Sequence, residues 1–318
     1  MKNNAKIRMI IWSIVAILLI IVLINGFPIN QKAYISSRVS VFSGFGPFRF
    51  SSREANIKET NEYTSKIEDI DSINFDLTID EITLKKSNEP DLKIIEKCNY
   101  ELNKDEKLNI SKEDNCIVIK REERSILPKM KSIYRTLEIY VPKDYDKTLV
   151  INNKAGDVVI ESDFNLEKLE INQSAGDLCI DSNIVCNEFI SNIKTGDIDI
   201  GNIDTTKYYI EANVGDIEIN KLIGFGDIKA NVGNIECNIE DVKGDVYIES
   251  DTGDVDIFIN EGVSFNLNAK YSIGEFDSNL NFENYKQKEK SIKGSIGTNP
   301  SNSIDINCNI GDLQINRK

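Results

Sequence analysis

Eight residues from Asp157 onward share one position of a repeated phrase and could act as a set. Asp157, Asp177, Asp197, Asp216, Asp254 and Asp312 each follow a glycine, and Asn234 and Glu275 hold the same place in two further copies. Regularly repeated carboxylates can bind cations or accept backbone N–H groups in turns. A calcium shell needs about 6–8 oxygens, and the calcium-binding β-roll repeats roughly every nine residues with more glycine. One carboxylate per phrase is too sparse for that, so turn capping is the expectation. No metal or other cofactor is predicted. Like charges stacked about 5 Å apart repel, so these carboxylates need N–H partners, solvent or a cation.

The remaining chemistry is narrow. The 318 residues include no His, which removes the usual general base near neutral pH and excludes Ser-His-Asp and Cys-His sites. The six cysteines, Cys98, Cys116, Cys179, Cys186, Cys237 and Cys308, contain no CxxC pair. Without His they make a poor zinc pattern, and a Cys98–Cys116 disulfide stays open at this stage. No phosphate loop or dinucleotide fingerprint is present. The basic run Lys120, Arg121, Arg124, Lys129, Lys131 and Arg135 is interleaved with Glu122 and Glu123. It reads as an exposed loop, with a grip on an anionic polymer or lipid headgroup as the alternative. The net charge of −14 repels phosphate backbones and argues against nucleic acid as a main partner. It suits a self-repelling surface or one that attracts cationic peptides.

The element that positions these residues is the repeat itself. Gly156, Gly176, Gly196, Gly215, Gly233, Gly253 and Gly274 are 18 to 21 residues apart, and Gly311 closes the series. A fixed period in this range marks a stacked architecture. Aligned on the glycine, position +2 holds Val158, Leu178, Ile198, Ile217, Ile235, Val255, Phe276 and Leu313, all apolar. Positions +4 and −5 are mostly Ile, and −1 runs from Ala155 and Ala175 to Val214, Val232, Ile273 and Ile310. Alternation with period two means strands. Positions −1 and +2 are both expected inside, so the Gly-Asp pair is a corner. The prediction is an all-β, parallel β-solenoid of roughly 20-residue coils, each stacked on the one before it in sequence. A chain of type II′ hairpins also accommodates the glycine, but the constant period and matched columns favour the solenoid. Gly226 and Gly244 mark a second corner, and residues 67–150 read as the first, less regular coils. Residues near 283, "ENYKQKEKSIKGS", read as an insertion in the last coils.

Position +3 lies between two inward columns and points out. There stand Asp199, Glu218, Glu236 and Asp256, the candidate binding face.

Residues 9–24, "MIIWSIVAILLIIVLI", carry no charge, and residues 25–29 extend them toward a full span. Lys2, Lys6 and Arg8 precede them, which sets residues 1–8 in the cytoplasm and the remainder outside. No small-residue cleavage site follows. The expected organisation is a basic segment at 1–8, a single transmembrane helix as anchor at 9–28, a linker at 29–66 and a β-solenoid at 67–318. Phe42, Phe45, Phe48 and Phe50 in the linker pack on the domain or meet the bilayer interface.

At "TLEIYVPKDYDKTLVINNKAGDVVI", a strand, the turn at Val141, Pro142 and Lys143, and a short strand lead into the first Gly-Asp. This resembles the bacterial "putative adhesin" domain family with Gly-Asp-Ile repeats, as in ectodomains of cell-envelope stress proteins of Gram-positive bacteria. The resemblance covers about residues 67–318. It implies a β-solenoid at the cell surface and transfers no catalytic residue. The function expected is a non-enzymatic cell-surface adhesin or scaffold, at the cell membrane, whose partner is an envelope protein or glycan or a cationic peptide. The alternatives are an envelope-stress module that binds cationic antimicrobial peptides, and a carbohydrate-active β-helix enzyme.

Overall fold

The computed structural model describes residues 57–121 and 134–318. The predicted anchor at 9–28, the segment 1–8, the phenylalanines at 42–50, and Arg124, Lys129 and Lys131 lie outside the described residues. Among the described residues no helix is long and apolar enough to cross a membrane.

The described chain is all-β apart from one short 3-10 turn at Lys104–Glu106. Its first part comprises β1 (Glu59–Lys66), β2 (Ser72–Ile79), β3 (Glu81–Ser87), β4 (Asp91–Cys98), β5 (Asn109–Glu113), β6 (Cys116–Lys120) and β7 (Arg135–Pro142). The regular middle comprises β8 (Thr148–Ala155), β9 (Val158–Ile160), β10 (Phe164–Ala175), β11 (Leu178–Ile193), β12 (Ile198–Val214), β13 (Ile217–Val232), β14 (Ile235–Thr252) and β15 (Val255–Ile259). The last part comprises β16 (Phe265–Ile273), β17 (Phe276–Ser278), β18 (Glu283–Lys288), β19 (Ser291–Ile296), β20 (Ser303–Ile310) and β21 (Leu313–Arg317).

Through the middle each repeat pairs in parallel with the next, in register. Leu178 stands opposite Ile198, Ile198 opposite Ile217, and Ile217 opposite Ile235. Parallel pairing removes the hairpin alternative for this segment. The stack is solenoid-like, and its interior is a set of aliphatic columns. One runs through Phe75, Ile151, Ile171, Ser191, Ile210, Ile228, Ile248, Ile306 and Ala269, all buried. Burying each large aliphatic side chain contributes about 1.5–3 kcal/mol. None of that is available to a single coil, because the covering surface belongs to its neighbours.

Sequence order and stacking order part company at both ends. The coil of β2 and β3 lies against β8 and β9 on one edge and against β6 and β7 on the other. Residues 67–150 therefore do not add coils in succession. β4 runs antiparallel to β7, β1 antiparallel to β4, and β5 antiparallel to β6, which builds a cap over that end. β1 lies in the stretch expected to be linker, so the folded domain already includes residues 59–66. At the far end, β20 inserts between β14 and β16, and β21 between β15 and β17. The expected insertion is the antiparallel hairpin of β18 and β19, laid on β16. Period two reveals which side chains face inward but not which strand lies alongside, and so these swaps leave no trace in the pattern. Near Gly226 and Gly244 the ladder shifts register, as a second bend requires.

The corner departs from expectation in one respect. Position −1 is not in the core: Val214, Val232, Ile310 and Ile273 are about half exposed or more. The chain turns over positions −1 to +1, and all three residues sit outside the columns. At the centre of the turn the glycine has positive φ, +141° at Gly196, and a Cβ there would stand 2.1 Å from the carbonyl oxygen of Gly176. Both the backbone angle and the close approach demand glycine.

Gly196→Ala is therefore expected to destabilise the stack by about 3 kcal/mol, read as a lower midpoint in urea denaturation. An unchanged midpoint would show that the corners tolerate a side chain and do not touch.

Candidate functional site

The carboxylates at position +1 are consumed by the fold. Asp177 N–H donates to Asp157 Oδ1 at 2.8 Å, Asp197 N–H to Asp177 Oδ1 at 2.9 Å, and Asp216 N–H to Asp197 Oδ1 at 2.9 Å. The series continues from Asn234 N–H to Asp216, Asp254 N–H to Asn234, Asp312 N–H to Asp254, and Glu275 N–H to Asp312, at 2.7–2.9 Å. Each side chain except that of Glu275, in the last coil, thus caps the same turn in the neighbouring coil. This is the turn capping expected from sequence, made between coils rather than within one. Asn234 serves as well as aspartate because the bond needs only an acceptor.

Among the described residues the predicted face at +3 has no such partners. Asp199 stands opposite Glu218, Glu218 opposite Glu236, and Glu236 opposite Asp256. The four side chains form a column along the stack, beside the capping column. Burial raises the carboxyl of Glu218 above its ordinary 4.5, with Asp199 and Glu236 adding to the shift. Burial likewise raises Asp199, helped by Asp181, and Asp256, helped by Glu236, Asp254 and Asp312. The neighbouring charges that act on these three are all negative. Among the described residues no group of His, Cys, Asp or Glu has a metal-binding arrangement.

Two other features were not foreseen as sites. An Asn ladder runs from Asn192 through Asn172 and Asn152 to Asp76, at 2.8–2.9 Å, along an open polar trough of about 590 Å³. Its amides are spent largely on one another. The second feature is a buried ionic cluster at the capped end. Arg121 Nη2 lies 3.0 Å from Asp80 Oδ1 and 2.5 Å from Glu96 Oε1, all three side chains being inaccessible to solvent. Arg121 also donates to Glu106 O, Tyr63 and Asn61 donate to Glu96 Oε2, and Arg135 Nε reaches Asp80 Oδ1 at 3.2 Å. Arg135 donates twice more to Ile79 O, at 3.0 and 3.2 Å. The two arginines expected in an exposed basic loop are therefore structural. They satisfy the Ile79 carbonyl and the Asp80 carboxylate at the first corner, between β6 and β7. A signal was present: Ile79, Asp80, Glu81, Ile82 and Leu84 align with Ala155, Gly156, Asp157, Val158 and Ile160, with Asp in the glycine place. Asp80 stands at this corner between the end of β6 and the start of β7, and Arg121 and Arg135, at those two strand ends, supply the buried cations it needs. Breaking such a pair leaves an uncompensated buried charge.

All six cysteines are free. Burial pushes the Cys98 thiol up to about 12 and those of Cys186 and Cys308 to about 11. These are inert packing residues rather than nucleophiles.

Comparison with known proteins matches residues 70–316 to the family model described as Toastrack DUF4097. No curated protein matches the chain. Among solved structures, a "putative adhesin" from Bacteroides fragilis is similar at 14% identity and a TM-score of 0.46, over 81% of this chain and 97% of that one. A "putative adhesin" from Parabacteroides merdae is similar at 12% identity and a TM-score of 0.48, over 82% and 96%. A "putative lipid binding protein" from Parabacteroides distasonis is similar at 15% identity and a TM-score of 0.45, over 81% and 96%.

The raised carboxyls carry a stability consequence. A folded-state value above the unfolded one means that the native chain holds more protons. Stability then falls as pH rises from the ordinary values of 3.8 for Asp and 4.5 for Glu through the raised ones. The Glu218→Gln/Glu236→Gln variant is expected to melt higher than the parent at pH 7 and equally at pH 4. Lower stability of that variant at pH 7 would mean that the column is held by partners rather than strained by repulsion.

Proposed function

Because this chain belongs to the Toastrack DUF4097 family, we propose that it is a non-enzymatic, adhesin-like scaffold of the bacterial cell surface that binds polycationic ligands. One observation carries the reading. Asp199, Glu218, Glu236 and Asp256 are held in register on one ladder, next to the capping column; among the described residues they meet no cation, and burial together with neighbouring carboxylates raises the carboxyls of Asp199, Glu218 and Asp256. A surface strained by its own charge gains free energy when a cation arrives. A row of charges about 4.8 Å apart matches an extended polycation better than a point ion. Cationic peptides and basic segments of envelope proteins are the partners with that chemistry.

In this reading residues 9–28 hold the protein in the cell membrane as a single-pass span, with the N-terminus in the cytoplasm and the β-domain outside. The uncharged run after Lys2, Lys6 and Arg8 supports it. The same acidic column serves the regulatory variant of the function, in which capture of a cationic antimicrobial peptide reports envelope stress.

Titration of the full chain with a lysine oligomer, followed by calorimetry, tests the proposal. Binding is expected at low ionic strength and is expected to weaken as salt screens the column. The Glu218→Gln/Glu236→Gln variant should bind about tenfold more weakly, the equivalent of roughly 1.4 kcal/mol. Absence of binding at low salt, or affinity indifferent to the two substitutions, would remove the proposal.

A further inference from the structure

The two ends of the stack are finished differently. At the first end the cap strands and two arginines cover the opening corner. At the other end the hairpin of β18 and β19 covers only β16, and β17 pairs with β21 alone. In every inner corner the glycine N–H and the N–H at +2 donate to the next coil, as Gly311 N–H does to Ile273 O and Leu313 N–H to Glu275 O. In the last coil Gly274 and Phe276 occupy those places. Leu313 donates to Glu275 O, so the N–H and C=O of Phe276 point the opposite way along the stack. Among the described residues nothing pairs with them. Lys290 Nζ donates to Gly274 O at 3.0 Å and closes only that one group. Beside this edge Ile273 is 65% exposed, the most exposed large apolar residue of the described chain.

The hairpin makes a step. On one side of the Gly274 corner the stack rises two strands above β16, first β19 and then β18. On the other side it stops at β17. We infer that this stepped end is a self-association surface on which a second copy of the chain docks by a two-fold axis along the bisector of the corner. The axis exchanges the two sides of the corner, so the raised side of each copy lies over the low side of the other. The steps then interlock at the spacing of one strand. β17 meets β18 of the partner subunit, and β18 meets the partner's β17. β18 runs in the direction of β16, toward the corner, whereas β17 leaves it, so the two are brought together antiparallel. This pairing is isologous and supplies both free edges with strand partners.

Charge favours the same arrangement. β17 and its approach carry Glu275 and Asp277, both exposed, and the outer edge of the hairpin carries Lys286 and Lys288, also exposed. Opposite signs therefore meet twice in one contact. Tyr285, stacked on Phe282, and Ile273 lie beside the joined edges and lose exposure on docking. The inference stands apart from the polycation reading, because the acidic column faces sideways along the stack and stays uncovered.

The test is the mass of the full chain in mild detergent by light scattering coupled to size exclusion. A dimer is expected. Glu275→Lys/Asp277→Lys and Lys286→Glu/Lys288→Glu should each raise the dissociation constant at least tenfold, and the variant carrying all four changes should recover the dimer. Circular dichroism of each variant establishes that it is folded. A monomer at all concentrations, or a dimer indifferent to the reversals, would overturn the inference. So would a monomer that instead captures an added extended lysine-rich peptide at β17.

Discussion

A sheet that turns a corner must interrupt its hydrogen-bond ladder, and this fold depends on how the interruption is repaired. At each corner from Gly156 to Gly253, and at Gly311, the glycine keeps its N–H on the carbonyl of the coil beyond, and the +1 residue lends a side-chain oxygen to the +1 N–H of that same coil. The ladder therefore continues through the turn without a gap. Glycine is required because the corners approach too closely for any Cβ. An acceptor is required because the +1 N–H has no strand partner. These two demands, written once per coil, explain the recurring Gly-Asp.

The middle of the molecule was legible for this reason. Val158, Leu178, Ile198 and Ile217 fall into one column because each occupies the same place in an identical corner. The ends were not legible. A strand pattern such as that of β20, with Ile304, Ile306 and Cys308 buried, fits above β14 as well as above β16, and only the assembled chain chooses. The exposed −1 column was misread because period two was carried one residue too far into the turn. Of the buried cluster of Asp80, Glu96, Arg121 and Arg135, the repeat marks only Asp80, in the glycine place; its partners lie tens of positions away and carry no periodic signal. The acidic column at +3 was found because the same alignment that defines the core also defines its outer face.

Position +1 and position +3 show how differently one residue type can be held on the same ladder. Both columns are mostly acidic and both repeat at the strand spacing. At +1 the carboxylates of Asp157, Asp177, Asp197, Asp216, Asp254 and Asp312 each accept a backbone N–H from the neighbouring coil. At +3 no donor is supplied among the described residues, and burial and like charge push the carboxyls of Asp199, Glu218 and Asp256 upward. The first column holds the coils together. The second is maintained against its own repulsion by the aliphatic columns behind it.

The corner account is tested most directly by amide hydrogen exchange resolved to single residues in the Asp197→Ala variant. Asp216 N–H, which loses its acceptor, should exchange far faster than in the parent. Asp177 N–H, whose acceptor is Asp157, should keep its protection. If Asp216 exchanges at the parental rate, or if protection is lost evenly along the stack, the side chains at +1 do not join the coils and the account fails.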